Sequence, residues 1–185
     1  MIKNYTEEQL EANYNKFIEA LKKVFSGERL EKLLHMYSPE ELGTELAIAP
    51  ASGKLNFHSC YVGGYIDHVM NVARNAYKLK KVFEEGGGTV NFTDEELFFA
   101  AFHHDLGKLG DGAEPYYIPQ ESEWHQKNKK EYFVNNPIFV NEHSHNCISY
   151  YPVLTWCFEC ELCKQFSLQG FKAFLSNANH VCKFV

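Results

Sequence analysis

The sequence predicts an all-α fold. Apolar residues recur at helical spacing in several separated stretches, three helices open on a capping box, and no run alternates as a half-buried strand would. Residues 6–25, TEEQLEANYNKFIEALKKVF, place Leu10, Tyr14, Phe17, Ile18, Leu21, Val24 and Phe25 on one face, and Thr6 with Gln9 forms the box that starts the helix. A second helix is expected over residues 28–37. A third begins at Ser38, with Pro39 in its first position and Glu41 completing another box, and Pro50 stops it.

Residues 51–60, ASGKLNFHSC, read as a loop. The next segment, GGYIDHVMNVARNAYKLKKVF, carries a stripe of Ile66, Val69, Val72, Ala73, Ala76 and Leu79, with His68 near its start. Residues 84–90, EEGGGTV, break the helix, because each glycine costs about 1 kcal/mol relative to alanine. Thr93 and Glu96 cap the helix DEELFFAAFHHDL, and Gly107 is expected to close it. An irregular aromatic stretch follows, then a helix over 121–133 and a short one over 142–151.

With 185 residues, 45% apolar and 15% aromatic, the chain can bury one proper core. A net charge of -6 supplies no basic footprint, which argues against long nucleic acid as a partner. The first residues, MIKNYTEEQL, lack the apolar centre of a signal peptide, and no apolar run approaches the roughly 20 residues that span a bilayer. The expected setting is therefore cytoplasmic, off the membrane, with thiols reduced or holding metal. The sequence leaves room for an oligomer.

The chemistry concentrates in FHHDLGKLGDG, residues 102–112. Adjacent His104 and Asp105 offer an imidazole nitrogen and a carboxylate oxygen, a pair suited to Mn, Fe, Ni, Zn or Mg. Neighbours on a helix point about 100° apart, so a shared ion must lie beside the helix and take a further ligand from elsewhere. His68 is the natural candidate. Each histidine alone reads better as a hydrogen-bonded helix residue than as a ligand, and Lys108 alone reads equally well as a lysine favoured by the helix macrodipole; three histidine and aspartate donors in register change that reading.

GGYIDH, followed 36 residues later by the His104 of HHDLGK, resembles the HD-domain metal-dependent phosphohydrolases, in the form found in HD proteins of phages. The resemblance covers roughly residues 55–150 and implies an HD-domain-like helical bundle. Residues 1–50 would pack as N-terminal helices on a metal-binding core of residues 51–150. His68, His104 and Asp105 would be metal ligands, with Asp105 and Lys108 catalytic. Lys108 would meet substrate phosphate, and His58, His143 and His145 would contact substrate. The implied reaction hydrolyses phosphate esters of nucleotides or short oligonucleotides, using a water whose pKa a divalent ion lowers from about 15.7 toward 7. Tyr116, Tyr117, Trp124 and His125 are candidates for stacking on a base or for ordinary packing. Asp111 reads as a turn residue.

Two departures from the family pattern stand out. The resemblance implies a distal aspartate ligand, yet no aspartate follows Asp111. Residues 146–185 hold only 5 of the 42 charged residues, and 151–185 read as an atypical tail. Its Cys157, Cys160 and Cys163, with His180 or Cys182, could hold zinc. They could equally pack as small apolar groups, or the coding sequence could be shifted or truncated there. A catalytically inactive HD fold that binds metal or nucleotide is accordingly the alternative to the hydrolase.

Overall fold

The computed structural model describes residues 5–111, 113–128 and 132–139. The helix expected over 142–151, His143, His145 and the cysteines from Cys147 onward lie outside the described residues. What is described is mostly helical, with one two-stranded antiparallel sheet. No helix among the described residues is long and apolar enough to cross a membrane.

Two compact units divide these residues. The first takes the chain up to His68 and again from Gly107, and the second is Val69–Leu106. In the first, α1 (Glu7–Val24) starts where the Thr6 hydroxyl accepts from the Gln9 N–H at 3.3 Å and Gln9 Oε1 accepts from the Thr6 N–H at 3.0 Å. The expected capping box is formed. α1 packs on α2 (Gly27–Met36) and α3 (Gly43–Ile48). Phe17 and Leu21 are fully buried there, and Tyr37 meets Phe17 edge-on at 5.2 Å. Each such side chain contributes roughly 1.5–3 kcal/mol by leaving water.

α3 begins four residues later than the sequence suggests, at Gly43 where Pro39 is expected in the first position. The Ser38 carbonyl accepts from the Glu41 and Gly43 N–H groups at 3.1 and 2.8 Å, so residues 38–42 close a turn rather than the first turn of a helix. A side chain on Gly43 would meet that same carbonyl oxygen at 2.6 Å. Leu42, not Ser38, stands at the N-cap, and no side chain caps this helix.

β1 (Tyr117–Pro119) pairs with β2 (Phe133–Asn135), with Ile118 opposite Val134. The helix expected over 121–133 therefore shrinks to α6 (Glu123–Lys127). The Gly53 carbonyl accepts from the Tyr132 and Phe133 N–H groups, which draws that segment out of helical pairing. Strands of three residues are too short for a period-2 pattern to register in sequence.

α4 (Gly64–Glu85) gives its first turn to the first unit and the remainder to the second. In the second unit Val69, Val72, Ala73 and Ala76 of α4 and Leu97, Phe99, Ala100 and Phe102 of α5 (Asp94–His103) are buried. Tyr77 stacks on Phe98 at 5.6 Å, and Lys80 Nζ reaches Asp94 at 2.7 Å and Glu84 at 3.0 Å. Thr93 and Glu96 form the second capping box as expected. α5 ends earlier than Gly107, which lies in a tight 3-10 turn, Leu106–Leu109. The positive φ that turns the chain falls instead on Gly110, at +100°.

Candidate metal centre

A loop and the start of α4 position His58 and His68. Ala51 N–H donates to the Ser59 carbonyl at 3.1 Å, and the Ser52 hydroxyl donates to the His58 carbonyl at 2.8 Å, so the loop folds back on itself. Gly63 then takes φ +82°, a conformation that L side chains rarely adopt. A Cβ on Gly64 would come closer than 3.0 Å to the Ser59 carbonyl oxygen. The glycine pair ahead of α4 thus has two different physical reasons, one conformational and one steric. Gly63 and Tyr65 N–H groups donate to the carbonyls of Ile48 and Ala49, which fixes the loop to the end of α3.

The result is that the His58 and His68 rings stack, with centroids 4.2 Å apart and planes inclined by 24°. His68 is buried at 2% exposure, unusual for a titratable side chain. Cys60, also buried, has its thiol pushed above its ordinary value by burial, with hydrogen bonds to Ser52 and the Tyr132 backbone opposing that rise. Lys108 Nζ donates to the Ala51 carbonyl at 3.0 Å, which anchors its ammonium on the same loop.

The histidine doublet and Asp105 stand at the end of α5. His103 Nδ1 lies 2.5 Å from the Phe99 carbonyl, and its ring packs 4.4 Å from that of Phe99. Burial pushes its pKa down to about 4, so it is neutral at physiological pH. His104 Nδ1 lies 2.8 Å from the Ala101 carbonyl, and a carbonyl can only accept, so Nδ1 carries the proton. In the neutral ring the lone pair is then on Nε2, which lies 3.4 Å from Asp105 Oδ2. Two lone-pair atoms so placed need a proton or a cation to reconcile them. Metal ligands on histidine commonly show this arrangement, with the far ring nitrogen donating to a backbone carbonyl.

His58, His68 and Asp105 each offer one ligand atom, and these atoms lie within 4.8 Å of one another. Two imidazole nitrogens and one carboxylate oxygen fit a divalent ion of the first transition row. No family model, curated protein or solved structure matches the chain.

Of the ligands expected from sequence, His68 and Asp105 belong to this group. His104 does not, although its Nε2 faces Asp105. His58, expected to line a substrate pocket, is the group's other imidazole. It lies on a loop, where no periodicity says which way a side chain points; its signal in the sequence was only its closeness to the glycine pair. Tyr116 is buried against Tyr117 and Phe139, so its role is packing. Trp124 is 55% exposed and meets the edge of His125. Asp111 Oδ1 accepts from the Ala113 and Glu114 N–H groups, as a turn aspartate does.

Proposed function

We propose that the chain is a metal-dependent phosphohydrolase of the HD type, acting on phosphate esters of nucleotides or short oligonucleotides. The observation that carries this reading is the group of His58, His68 and Asp105, whose ligand atoms lie within 4.8 Å of one another. The spacing of the GG-x-x-x-His and HHDLGK motifs supports it, and the mostly helical architecture agrees with an HD-like bundle. The net charge of -6 favours a small substrate over a long polyanion.

His58, His68 and Asp105 would hold the ion. When bound, a divalent ion supplies a water of lowered pKa and withdraws charge from a phosphoryl oxygen. The carboxylate of Asp105 offers an acceptor for the proton that the attacking water loses. His104, anchored through Nδ1 to the Ala101 carbonyl, keeps its Nε2 beside that carboxylate. Lys108, held at the Ala51 carbonyl, places a positive charge that offsets charge developing on the phosphoryl oxygens. His143 and His145 remain proposed substrate contacts on the family resemblance.

Purified protein supplied with Mn2+ should release phosphate from a panel of nucleoside monophosphates or cleave short oligonucleotides, and His68→Ala should abolish this. Equal release by the two proteins would sink the reading.

A second reading is an HD fold that binds metal or nucleotide without turnover. It is favoured by the single carboxylate of the donor group found among the described residues, where the resemblance implies two. Saturable nucleotide binding in calorimetry, with no product after prolonged incubation, would establish it over the hydrolase.

A further inference from the structure

Asp67 precedes His68 in the first turn of α4, and the two side chains leave the helix about 100° apart. While His68 stacks on His58, the Asp67 carboxylate gathers donors from three other segments. Its Oδ2 accepts from Tyr61 Oη at 2.5 Å and from Tyr5 Oη at 2.8 Å, and its Oδ1 accepts from Asn13 Nδ2 at 3.2 Å. Tyr5 precedes α1, Asn13 is on α1, and Tyr61 belongs to the loop that leads into α4.

The same segments close around the glycine turn. The rings of Tyr5 and Tyr61 meet edge-on at 6.0 Å, and a Cβ on Gly63 would strike Leu10 Cδ2 at 2.6 Å and Tyr5 Cδ2 at 3.0 Å. The N-terminal segment is therefore seated directly on the turn that launches His68.

We infer that Asp67 is a positioning residue for the metal centre, through which the N-terminal segment and α1 fix the turn of α4 that presents His68. This rests on the metal reading proposed above. Hydrogen bonds to an ionised carboxylate are short and strong, so the Asp67 cluster resists rotation of that turn. Groups that hydrogen-bond a ligand directly govern metal affinity by about 10–100-fold; Asp67 acts on His68 through the helix turn, so its loss should act at the lower end of that range. The cluster touches neither the metal nor substrate, so its loss should act on affinity and not on the ligand set.

The test uses the full chain with Co2+ alone as the probe. Its dissociation constant is followed by visible absorption well below the melting temperature, and the Tm of each metal-free protein is recorded in parallel. His68→Ala should lose Co2+ binding. Asp67→Asn should bind about 10-fold more weakly than the parent, with Asp67→Glu recovering part of the loss and Tyr61→Phe showing a smaller one. Asp67→Asn that lowers the Tm but binds Co2+ as tightly as the parent overturns the inference while leaving the metal reading intact. Parent protein that binds no Co2+, or no better than His68→Ala does, removes both. Should Asp67→Asn fail to fold, Tyr61→Phe carries the comparison: unchanged affinity there overturns the inference, and weakened affinity supports it.

Discussion

The imidazole rings of His58 and His68 stack at 4.2 Å, one from a loop and the other from the first turn of α4. Two nitrogen donors so arranged favour borderline transition metals over Mg2+, which prefers oxygen ligands. Zn2+, Mn2+ or Co2+ at a hundredfold excess over its dissociation constant should therefore stabilise the protein by about 2.7 kcal/mol. Mg2+ should shift its Tm much less. His58→Ala should lose most of the transition-metal shift, and an unchanged shift in that variant would remove His58 from the ligand set.

Gly64→Ala sets two effects against each other. Alanine in a helix is favoured by about 1 kcal/mol over glycine, but the new Cβ would lie within 3.0 Å of a backbone oxygen at Ser59, which has little room to yield. Overpacking of this kind costs about 1–3 kcal/mol or more, so the variant should be less stable in chemical denaturation. It should also weaken metal binding, because the same loop carries His58. A stabilised variant would show that the loop moves freely.

Lys108→Met removes the charge while keeping most of the aliphatic stem. Loss of one donor aimed at a transition-state oxyanion typically lowers kcat by about 10²–10³-fold, whereas loss of the bond to the Ala51 carbonyl should cost only about 1 kcal/mol of stability. Turnover measured against Tm separates the two. A fall in Tm with unchanged kcat would leave Lys108 a structural residue.

Lys80 is buried, and its hydrogen bond to Asp94 raises its pKa, opposed by desolvation and reinforced by Glu84. A raised folded pKa means a contribution fully present below the unfolded value of about 10.4 and lost as pH climbs through the folded one. Lys80→Met should therefore be less stable near neutrality, by about 1 kcal/mol because both carboxylates keep access to water. Urea unfolding at about pH 8 and about pH 11 should show the gap between parent and variant narrowing at the higher pH. A gap independent of pH would assign the loss to packing alone.

Sequence pattern was a reliable guide where a physical signal is local. The boxes of Thr6 with Gln9 and of Thr93 with Glu96 both formed, because all their partners lie within three residues. Ser38 and Glu41 spell the same box, yet tertiary placement of the Ser38 carbonyl over Gly43 replaced it with a turn. Gly107 looked like the end of α5 on composition, but the left-handed conformation fell on Gly110, where a Cβ would crowd the Glu114 carbonyl. β1 and β2 escaped notice because their pairing is between segments, not within one.

The sequence by itself determined the helical class and the glycine pair ahead of α4, and it put forward His68, His104 and Asp105 as metal ligands. Only the tertiary structure decided that His58 groups with His68 and Asp105, and that Asp67 ties the helix of His68 to the N-terminal segment. Helical periodicity fixes side-chain direction every 100° and so could be read for His68. A loop has no such period, and the path of the loop that carries His58 was set by the Ser52 hydroxyl donating to the His58 carbonyl, by the Ala51 N–H donating to the Ser59 carbonyl, and by the space that Gly64 leaves open.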